Sequence, residues 1–188
     1  KTIIFGANEE TYNKNKHHVV SASICDANAC APVLNILDKE IGIEDGFITT
    51  LHPWLGYQNL VDGSLSSVSS PGHYWKDFAL GRASTESLIP KPTTLMSAIS
   101  HVLPNLNSNI EAMSFRVPTS IVSVSDMGLT LKRKISKNNV LDIFYNLSKK
   151  YPNVVLINED PLVSIDFKGI EQSCVIDIRW IKLINEQK

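Results

Sequence analysis

The sequence predicts an α+β fold, in which two or three helices cover a mostly antiparallel sheet. Three observations support this prediction. Apolar residues recur at helical spacing in a few segments, and two long segments beyond the middle of the chain alternate apolar and polar residues as half-buried strands do. The 188 residues are 43% hydrophobic and 20% charged, which is the composition of a globular chain with one sizeable core.

The composition also argues against several classes of function. A net charge of -1 gives no electrostatic reason to expect a nucleic-acid partner or an anionic membrane surface. No apolar run approaches the ~20 residues of a membrane-spanning helix, and we expect no signal peptide before the fold. The sequence holds 3 cysteines, a sparse and odd number for a secreted domain, so we expect a cytoplasmic protein.

In the first third of the chain, the pattern predicts strands on either side of one helix. Short apolar runs at Thr2–Phe5 and His18–Ser21 predict two strands. Helical spacing begins near Ala27 and ends before Gly42–Gly46, which predicts a loop. The run Phe47–His52, rich in β-branched and apolar residues, predicts a further strand.

Beyond this strand, residues 62–83 are rich in serine and glycine and predict a long exposed loop. Apolar spacing predicts helices over Thr93–Leu103 and Ser136–Lys150, the second with Ser136 as its N-cap. The predicted strands are Glu111–Val117, Ser120–Ile135, Asn153–Ile157, Val163–Phe167 and Cys174–Leu183. We expect the first two to pair, and one sheet face to carry Met113, Phe115 and Val117 with Val122 and Val124 opposite.

Cys25 is the candidate nucleophile, because the predicted helix starts close to it. Unpaired N–H groups and the positive end of the helix dipole favour a thiolate at such a position. The alternative is that Cys25 is a small buried apolar residue. Cys30 is about 140° away around a helix, so the two cysteines should neither pair nor share a metal. We expect Cys174 to be a packing residue and the chain to hold no metal site.

A thiolate nucleophile needs a base or an ion-pair partner, most often a histidine. The chain has 5 histidines, and His52 is the candidate because it ends an apolar strand that a strand-helix-strand path can return beside Cys25. The other histidines are more simply explained as surface residues: His17, His18, His73 and His101. No glycine-rich dinucleotide fingerprint follows a strand in this sequence.

The segment Ser21–Pro32, followed by 42–52, resembles the catalytic region of glyceraldehyde-3-phosphate dehydrogenases. Later segments follow in that family's order, so the resemblance is collinear from about Gly6 to the end of the chain. These segments are 61–63, 81–83, 89–90, 102–104, 115–119 and 163–167. Residues 93–95 and 110–119 are locally more similar to the erythrose-4-phosphate dehydrogenase branch.

The resemblance implies that Cys25 attacks an aldehyde while His52 lowers its pKa and takes the hydroxyl proton. Hydride transfer to NAD or NADP would leave a thioester, which phosphate or water then cleaves. The resemblance also implies that Arg116 holds an anionic group of the substrate. The other substrate-binding candidates are Thr93, Thr94 and Asp26.

The resemblance further implies two domains. Residues 1–23 would be the last strands of a nucleotide-binding domain, and residues 24–188 a catalytic domain that lacks the family's closing segment. The cofactor would be bound mainly by the missing domain, so we expect no cofactor-binding residue here and no measurable binding of NAD by the chain alone. The strands between 111 and 135 resemble the family's intersubunit sheet, which implies a homodimer or homotetramer.

Several positions depart from the family pattern. Ile24 and Asp26 replace hydroxyl side chains that bracket the cysteine and hold phosphate, and Leu55 and Leu80 replace two further polar contacts. Asp26 would repel a phosphate dianion and disfavour the neighbouring thiolate. Three interpretations follow: a dehydrogenase for an atypical sugar or sugar-phosphate aldehyde, a standard glyceraldehyde-3-phosphate dehydrogenase with a remodelled site, or a catalytically weak binding or oligomerisation module.

Overall fold

A four-stranded mixed sheet with one helix packed along its inner face positions the candidate site. The computed structural model describes residues 1–63, 66, 71–72, 74–75, 78–106 and 109–188. Its helices are α1 (Cys25–Glu40), α2 (Leu95–Ser100) and α3 (Lys137–Lys150). Its strands are β1 (Ile43–Pro53), β2 (Ile89–Lys91), β3 (Ile110–Val117), β4 (Val124–Leu131), β5 (Val155–Asn158) and β6 (Cys174–Asp177).

The order of strands in the main sheet is β2-β3-β1-β4, and β5 and β6 form a separate parallel pair. Strand β1 runs parallel to β3 and antiparallel to β4, while β2 runs antiparallel to β3. Antiparallel pairs therefore outnumber parallel ones in the main sheet. The predicted α+β class with a mostly antiparallel sheet is confirmed.

The predicted pairing of the two middle strands is wrong, because β1 lies between β3 and β4. Alternation shows which residues share a face of a strand, but it does not show which strand lies next to it. Val124 faces Leu51 of β1 across the ladder. Val122 lies before β4 in a left-handed conformation with φ 70°, so it has no place in the predicted cross-strand set.

Local hydrogen bonds shorten the predicted N-terminal strands. Thr2–Phe5 forms only an isolated bridge from Thr2 to Ser21. The Asn8 Oδ1 atom accepts from the Ile4 N–H at 2.9 Å, and this turn competes with continued pairing. The predicted loop at Gly42–Gly46 is also wrong, since only Gly42, with φ 83°, forms the turn and β1 begins at the next residue.

The same competition operates near the C-terminus. Val163–Phe167 is not a strand, because Asp166 Oδ2 accepts from the Val163 N–H at 2.8 Å and residues Ser164–Phe167 form a 3₁₀ helix. The strand predicted over Cys174–Leu183 ends at Asp177, whose side chain caps a second 3₁₀ turn, Ile178–Trp180. The helix predicted over Thr93–Leu103 spans only Leu95–Ser100.

Helix α3 confirms its prediction, with Ser136 Oγ accepting from the Asn139 N–H at 3.2 Å as the N-cap. The predicted loop 62–83 lies partly outside the described residues, and so does His73. Within its described part, Phe78–Gly81 forms a 3₁₀ turn. No helix in the described ranges is long and apolar enough to cross a bilayer.

Helix α1 is the centre of the core, since α2, α3, β1 and β6 all contact it. Its residues Ala27, Cys30, Ala31 and Leu34 are completely buried. Full burial of a side chain the size of Leu34 stabilises the fold by about 1.5–3 kcal/mol. Along the β1 face beneath α1, buried side chains change from apolar to polar in the order Ile48, Thr50 and His52. The polar end of this face is where the candidate site lies.

Candidate active site

Cys25 is the first residue of α1, as the sequence predicts. The chain enters the helix through Ser23, whose φ of 67° is left-handed and therefore strained for a residue other than glycine. The Asn28 Nδ2 group donates to the carbonyl oxygens of Ala22 at 2.6 Å and of Ile24 at 2.9 Å. Asn28 thus holds the segment that presents the Cys25 thiol, which is exposed.

His52 lies at the end of β1 on the face that α1 covers, and there it meets Asp26 of the helix. Its Nε2–H group donates to Asp26 Oδ2 at 3.0 Å, and the two residues are 6% and 7% exposed. The Cys25 thiol donates to the other carboxylate oxygen, Oδ1, at 3.4 Å. The reactive atoms of Cys25, Asp26 and His52 all lie within 4.8 Å of one another. The fold therefore brings the two predicted catalytic residues together, with the Asp26 carboxylate in contact with both.

Ser123 completes the hydrogen bonding of the His52 ring. Its hydroxyl donates to Nδ1 at 3.2 Å, so both ring nitrogens have a partner. The preceding Val122 is left-handed, which is a marked outlier for a β-branched residue. Sequence reasoning missed Ser123, because it belongs to a short connection and only the pairing of β1 with β4 brings it to His52.

Asp26 and Cys25 oppose each other electrostatically. Burial alone would raise the pKa of the Asp26 carboxyl, but the hydrogen bond and charge of His52 lower it below its usual value. Partial burial raises the pKa of the Cys25 thiol, and the negative charge of Asp26 raises it further. Burial and the Asp26 charge therefore both oppose the effect of the helix N-terminus on the pKa of this thiol.

The other two cysteines are packing residues. Burial raises the pKa of Cys30 to about 11 and that of Cys174 to about 12. All three cysteines are free thiols. Cys174 packs against the core, as the sequence predicts. That Cys25 and Cys30 do not pair stays a prediction.

Arg116 faces His52 directly across the parallel ladder of β1 and β3. Its guanidinium donates to the Pro53 carbonyl at 3.0 Å, which holds it at the same end of the sheet as the cluster. Lys91 lies nearby on β2. Burial and the charge of Arg116 lower the pKa of Lys91, while the charges of Asp26 and Cys25 act in the opposite direction. Lys91 therefore lies within electrostatic reach of the thiol, and Arg116 within electrostatic reach of Lys91.

Sequence reasoning missed Lys91, although a lysine within the apolar, proline-rich stretch 88–92 is a signal that could have drawn attention to it. The two predicted threonines lie just beyond this lysine. The Thr93 hydroxyl accepts from the Leu95 N–H at 3.2 Å, and Thr94 occupies the N-cap position of α2. In the described part of the chain, neither threonine is hydrogen bonded to Cys25, Asp26 or His52.

A groove of about 460 Å³ opens beside the cluster, where β1 and β3 end. Among the residues that the structure describes, Cys25, Asp26 and His52 do not line this groove. The residues that line it are Trp54, Thr85, Pro118, Thr119, Ser120, Ile121, Ser164 and Ile165. Cys25 as a residue is exposed, although its thiol is partly buried.

The described residues do not suit a dinucleotide. A nicotinamide dinucleotide is typically held by a glycine-rich turn between a strand and a helix N-terminus. Here the segment that leads into α1 is Ala22-Ser23-Ile24-Cys25, which has no glycine, and Asp26 places a buried negative charge in the first turn. A pyrophosphate would be repelled at this terminus, so we derive no step through a dinucleotide bound by these residues.

Comparison with known proteins assigns the chain to a family. Residues 24–188 match the family described as glyceraldehyde 3-phosphate dehydrogenase, C-terminal domain. The chain belongs to this family. It is 35% identical over 178 residues to a glyceraldehyde-3-phosphate dehydrogenase of Kitasatospora aureofaciens, covering 94% of this chain and 50% of that protein. It is 34% identical over 188 residues to glyceraldehyde-3-phosphate dehydrogenase 2 of Bacillus subtilis (strain 168), covering 100% of this chain and 52% of that protein.

The chain thus spans about half the length of these curated relatives. Its family is that of a dehydrogenase domain, which agrees with the family resemblance given by the order of its motifs. The match to the glyceraldehyde 3-phosphate dehydrogenase C-terminal domain begins at residue 24. The assignment of residues 1–23 to a preceding domain stays a prediction. In the structure, Ile4 and Ala7 pack in the same core as α1.

Substitution of Asp26 and of His52 should change the reactivity of Cys25 in opposite directions. Asp26→Asn removes the charge that raises the thiol pKa, so alkylation near neutral pH should accelerate about three- to tenfold, since each pKa unit is worth a factor of ten. His52→Asn frees the carboxylate to accept more strongly from the thiol, so alkylation should slow.

Iodoacetamide kinetics, with the modified cysteine located by mass spectrometry, measure both rates. The matched control Asp126→Asn, at an exposed β4 position, should react like the wild type. An unchanged or slower rate for Asp26→Asn would contradict this account.

Asp26 should also contribute to stability in a defined pH window. Because its pKa is lower in the folded state, its stabilisation is complete above the unfolded value and is lost as pH falls through the folded value. Urea unfolding at a series of pH values below about 5 should therefore show a smaller loss of stability in Asp26→Asn than in the wild type. Near neutral pH the variant should be less stable by about 1–3 kcal/mol. Identical pH dependence in the two proteins would rule out this role for Asp26.

Proposed function

We propose that the chain is the catalytic domain of an NAD(P)-dependent aldehyde dehydrogenase of the glyceraldehyde-3-phosphate dehydrogenase type, with Cys25 as nucleophile and His52 as proton carrier. The observation that carries the proposal is the cluster in which the Cys25 thiol and the His52 ring come within 4.8 Å at the start of α1. An exposed thiol, a histidine and a group that orients the histidine form the arrangement that nucleophilic catalysis requires.

The proposed reaction begins from the form of His52 that carries its proton on Nδ1, where the Ser123 hydroxyl can accept it, so that the Nε2 lone pair is free. The Cys25 S–H bond then breaks and its proton passes to Nε2. The sulfur forms a bond to the aldehyde carbon, and the carbonyl electron pair moves to oxygen, which takes up the proton as a thiohemiacetal. A nicotinamide cofactor held by other parts of the complete protein would supply the hydride acceptor for oxidation of this adduct to a thioester. His52 receives the hydroxyl proton in that oxidation and later returns a proton to the departing thiolate. Phosphate would release an acyl phosphate, whereas water would release an acid.

The charges around the cluster favour an anionic aldehyde. Lys91 interacts electrostatically with Cys25 and Asp26, and Arg116 lies opposite His52 and interacts with Lys91. A charged hydrogen bond from a cation to a substrate anion contributes about 1.5–3 kcal/mol. Sugar phosphates are therefore the first substrates to consider, including glyceraldehyde 3-phosphate and erythrose 4-phosphate. The hydroxyl positions that bracket the cysteine in the family are Ile24 and Asp26 here, which supports an atypical sugar or sugar-phosphate aldehyde over the standard substrate.

A second candidate function, a catalytically weak binding or oligomerisation module, is favoured by one specific observation. The Asp26 carboxylate accepts from both the thiol and the Nε2–H group, and it raises the pKa of Cys25. Both effects oppose formation of the thiolate near neutral pH. Turnover by the complete protein would exclude this candidate.

The prediction of a homodimer or homotetramer is supported by the outer face of the sheet. This face also carries the polar residues Thr49, Glu111 and Asp126. Its apolar side chains are at least partly exposed: Phe47, Leu51, Met113, Phe115, Val117 and Val124. A second copy of the chain would bury this surface. The cytoplasmic location likewise stays a prediction from cysteine content.

The proposed activity is tested with the full-length protein that carries this domain. Glyceraldehyde 3-phosphate, erythrose 4-phosphate and unphosphorylated sugar aldehydes are each incubated with NAD or NADP, with and without phosphate, and NAD(P)H formation is followed by absorbance. We expect oxidation of at least one aldehyde and a covalent acyl adduct on Cys25 detectable by mass spectrometry. Cys25→Ser should lower kcat by about a thousandfold or more.

The matched control is Cys30→Ser, which changes a buried cysteine outside the cluster and should turn over at close to the wild-type rate.

Arg116→Lys should raise KM for phosphorylated aldehydes more than for unphosphorylated ones, because lysine lacks the bidentate geometry. Failure of every aldehyde to reduce either cofactor, with the protein folded, would reject the dehydrogenase proposal and support the weak module.

A further inference from the structure

We propose that Cys25, Asp26 and His52 form a binding site for Zn²⁺ that blocks the thiol reversibly. Cysteine spacing alone predicts no metal site, whereas the fold brings together a thiol, a carboxylate and an imidazole from α1 and β1. These are the three ligand types that zinc prefers in proteins. The proposal goes beyond the dehydrogenase function and does not depend on it.

The distances in the cluster suit a tetrahedral ion. Typical zinc bonds of about 2.0–2.3 Å place two ligands of one zinc roughly 3.2–3.8 Å apart. The two recorded separations are 3.0 Å between His52 Nε2 and Asp26 Oδ2 and 3.4 Å between Cys25 Sγ and Asp26 Oδ1. All three donors lie within 4.8 Å of one another, so small side-chain rotations suffice to converge them on one ion. Since Cys25 is exposed, zinc can enter from solvent and a water can take the fourth position.

Ser123 supplies the support that a metal-binding histidine needs. Its Oγ lies 3.2 Å from His52 Nδ1 and can accept a hydrogen bond from that nitrogen. A proton held on Nδ1 leaves the Nε2 lone pair free for the metal, which is the usual arrangement of a zinc ligand and its hydrogen-bonded partner. The hydroxyl can also donate to Nδ1 in the metal-free state, so Ser123 accommodates both forms of the ring.

The charge balance selects the kind of ion. Zinc binding breaks the Cys25 S–H bond and releases one proton to solvent, and the thiolate and the Asp26 carboxylate then neutralise the two positive charges of the ion. The positive charge of Lys91, which interacts with both Asp26 and Cys25, disfavours any cation at this position. Binding must therefore come from the sulfur and nitrogen bonds, which Mg²⁺ and Ca²⁺ do not form well. We expect zinc and cobalt to bind and magnesium and calcium to be excluded.

The site is tested by calorimetric titration of the reduced 188-residue chain with Zn²⁺. We expect one ion per chain, and at least about tenfold weaker binding in Asp26→Asn, because one of the three ligands becomes a poor donor. Asp126→Asn is the matched control and should bind zinc like the wild type. Cobalt(II) should give a thiolate-to-metal charge-transfer band that Cys25→Ser abolishes and Cys30→Ser retains.

A second readout on the wild type alone protects the test against variants that misfold. Zn²⁺ should slow alkylation of Cys25 by about tenfold or more at saturation, and a chelator should restore the original rate. Mg²⁺ at the same concentration should have no effect. Absence of stoichiometric binding, or equal affinity in a folded Asp26→Asn variant, would overturn the proposal. Neither readout uses an aldehyde or NAD, so this result is independent of the dehydrogenase test.

Discussion

The hydrogen bond between the Asp26 carboxylate and the His52 ring joins the first turn of α1 to the last residues of β1. Both groups are almost fully buried, and their 3.0 Å separation leaves no room for water between them. Removal of one partner from such a pair leaves the other buried without its hydrogen bond, which usually costs about 1–3 kcal/mol. The position of the Cys25 thiol relative to the sheet depends on this bond, since Cys25 precedes Asp26 at the helix start.

This one carboxylate changes what a thiol at a helix N-terminus does. The helix dipole and free N–H groups favour a thiolate, but partial burial and the negative charge of Asp26 both raise the Cys25 pKa. The same group orients His52 and interacts electrostatically with Lys91. A substitution at this position should therefore affect thiol reactivity and, under the two proposals, substrate preference and zinc affinity.

The local sequence pattern was sufficient to predict the position of a candidate catalytic residue within its own helix or strand. The helical spacing after Ala27 places Cys25 at the helix start, and the end of a β-rich run places His52 at a sheet edge. The order β2-β3-β1-β4 could not be predicted, because alternation carries no information on which strands are neighbours. Ser123 and Lys91 were not identified for that reason. Ser123 reaches His52 only because β4 pairs with β1, and Lys91 reaches the site only because β2 pairs with β3. Two of the predicted short strands do not form as strands, because the side chains of Asn8 and Asp166 accept hydrogen bonds from nearby backbone N–H groups.

A double-mutant cycle on the Cys25 pKa tests most directly whether Asp26 and His52 act on the thiol as one unit. The thiolate absorbance of the wild type, Asp26→Asn, His52→Asn and the double variant is titrated against pH. We expect Asp26→Asn to lower the pKa and His52→Asn to raise it in the wild-type background. When Asp26→Asn is already present, the His52 substitution should have little effect, because its influence passes through the carboxylate. Additive shifts in the two backgrounds would contradict the central role of the Asp26–His52 bond.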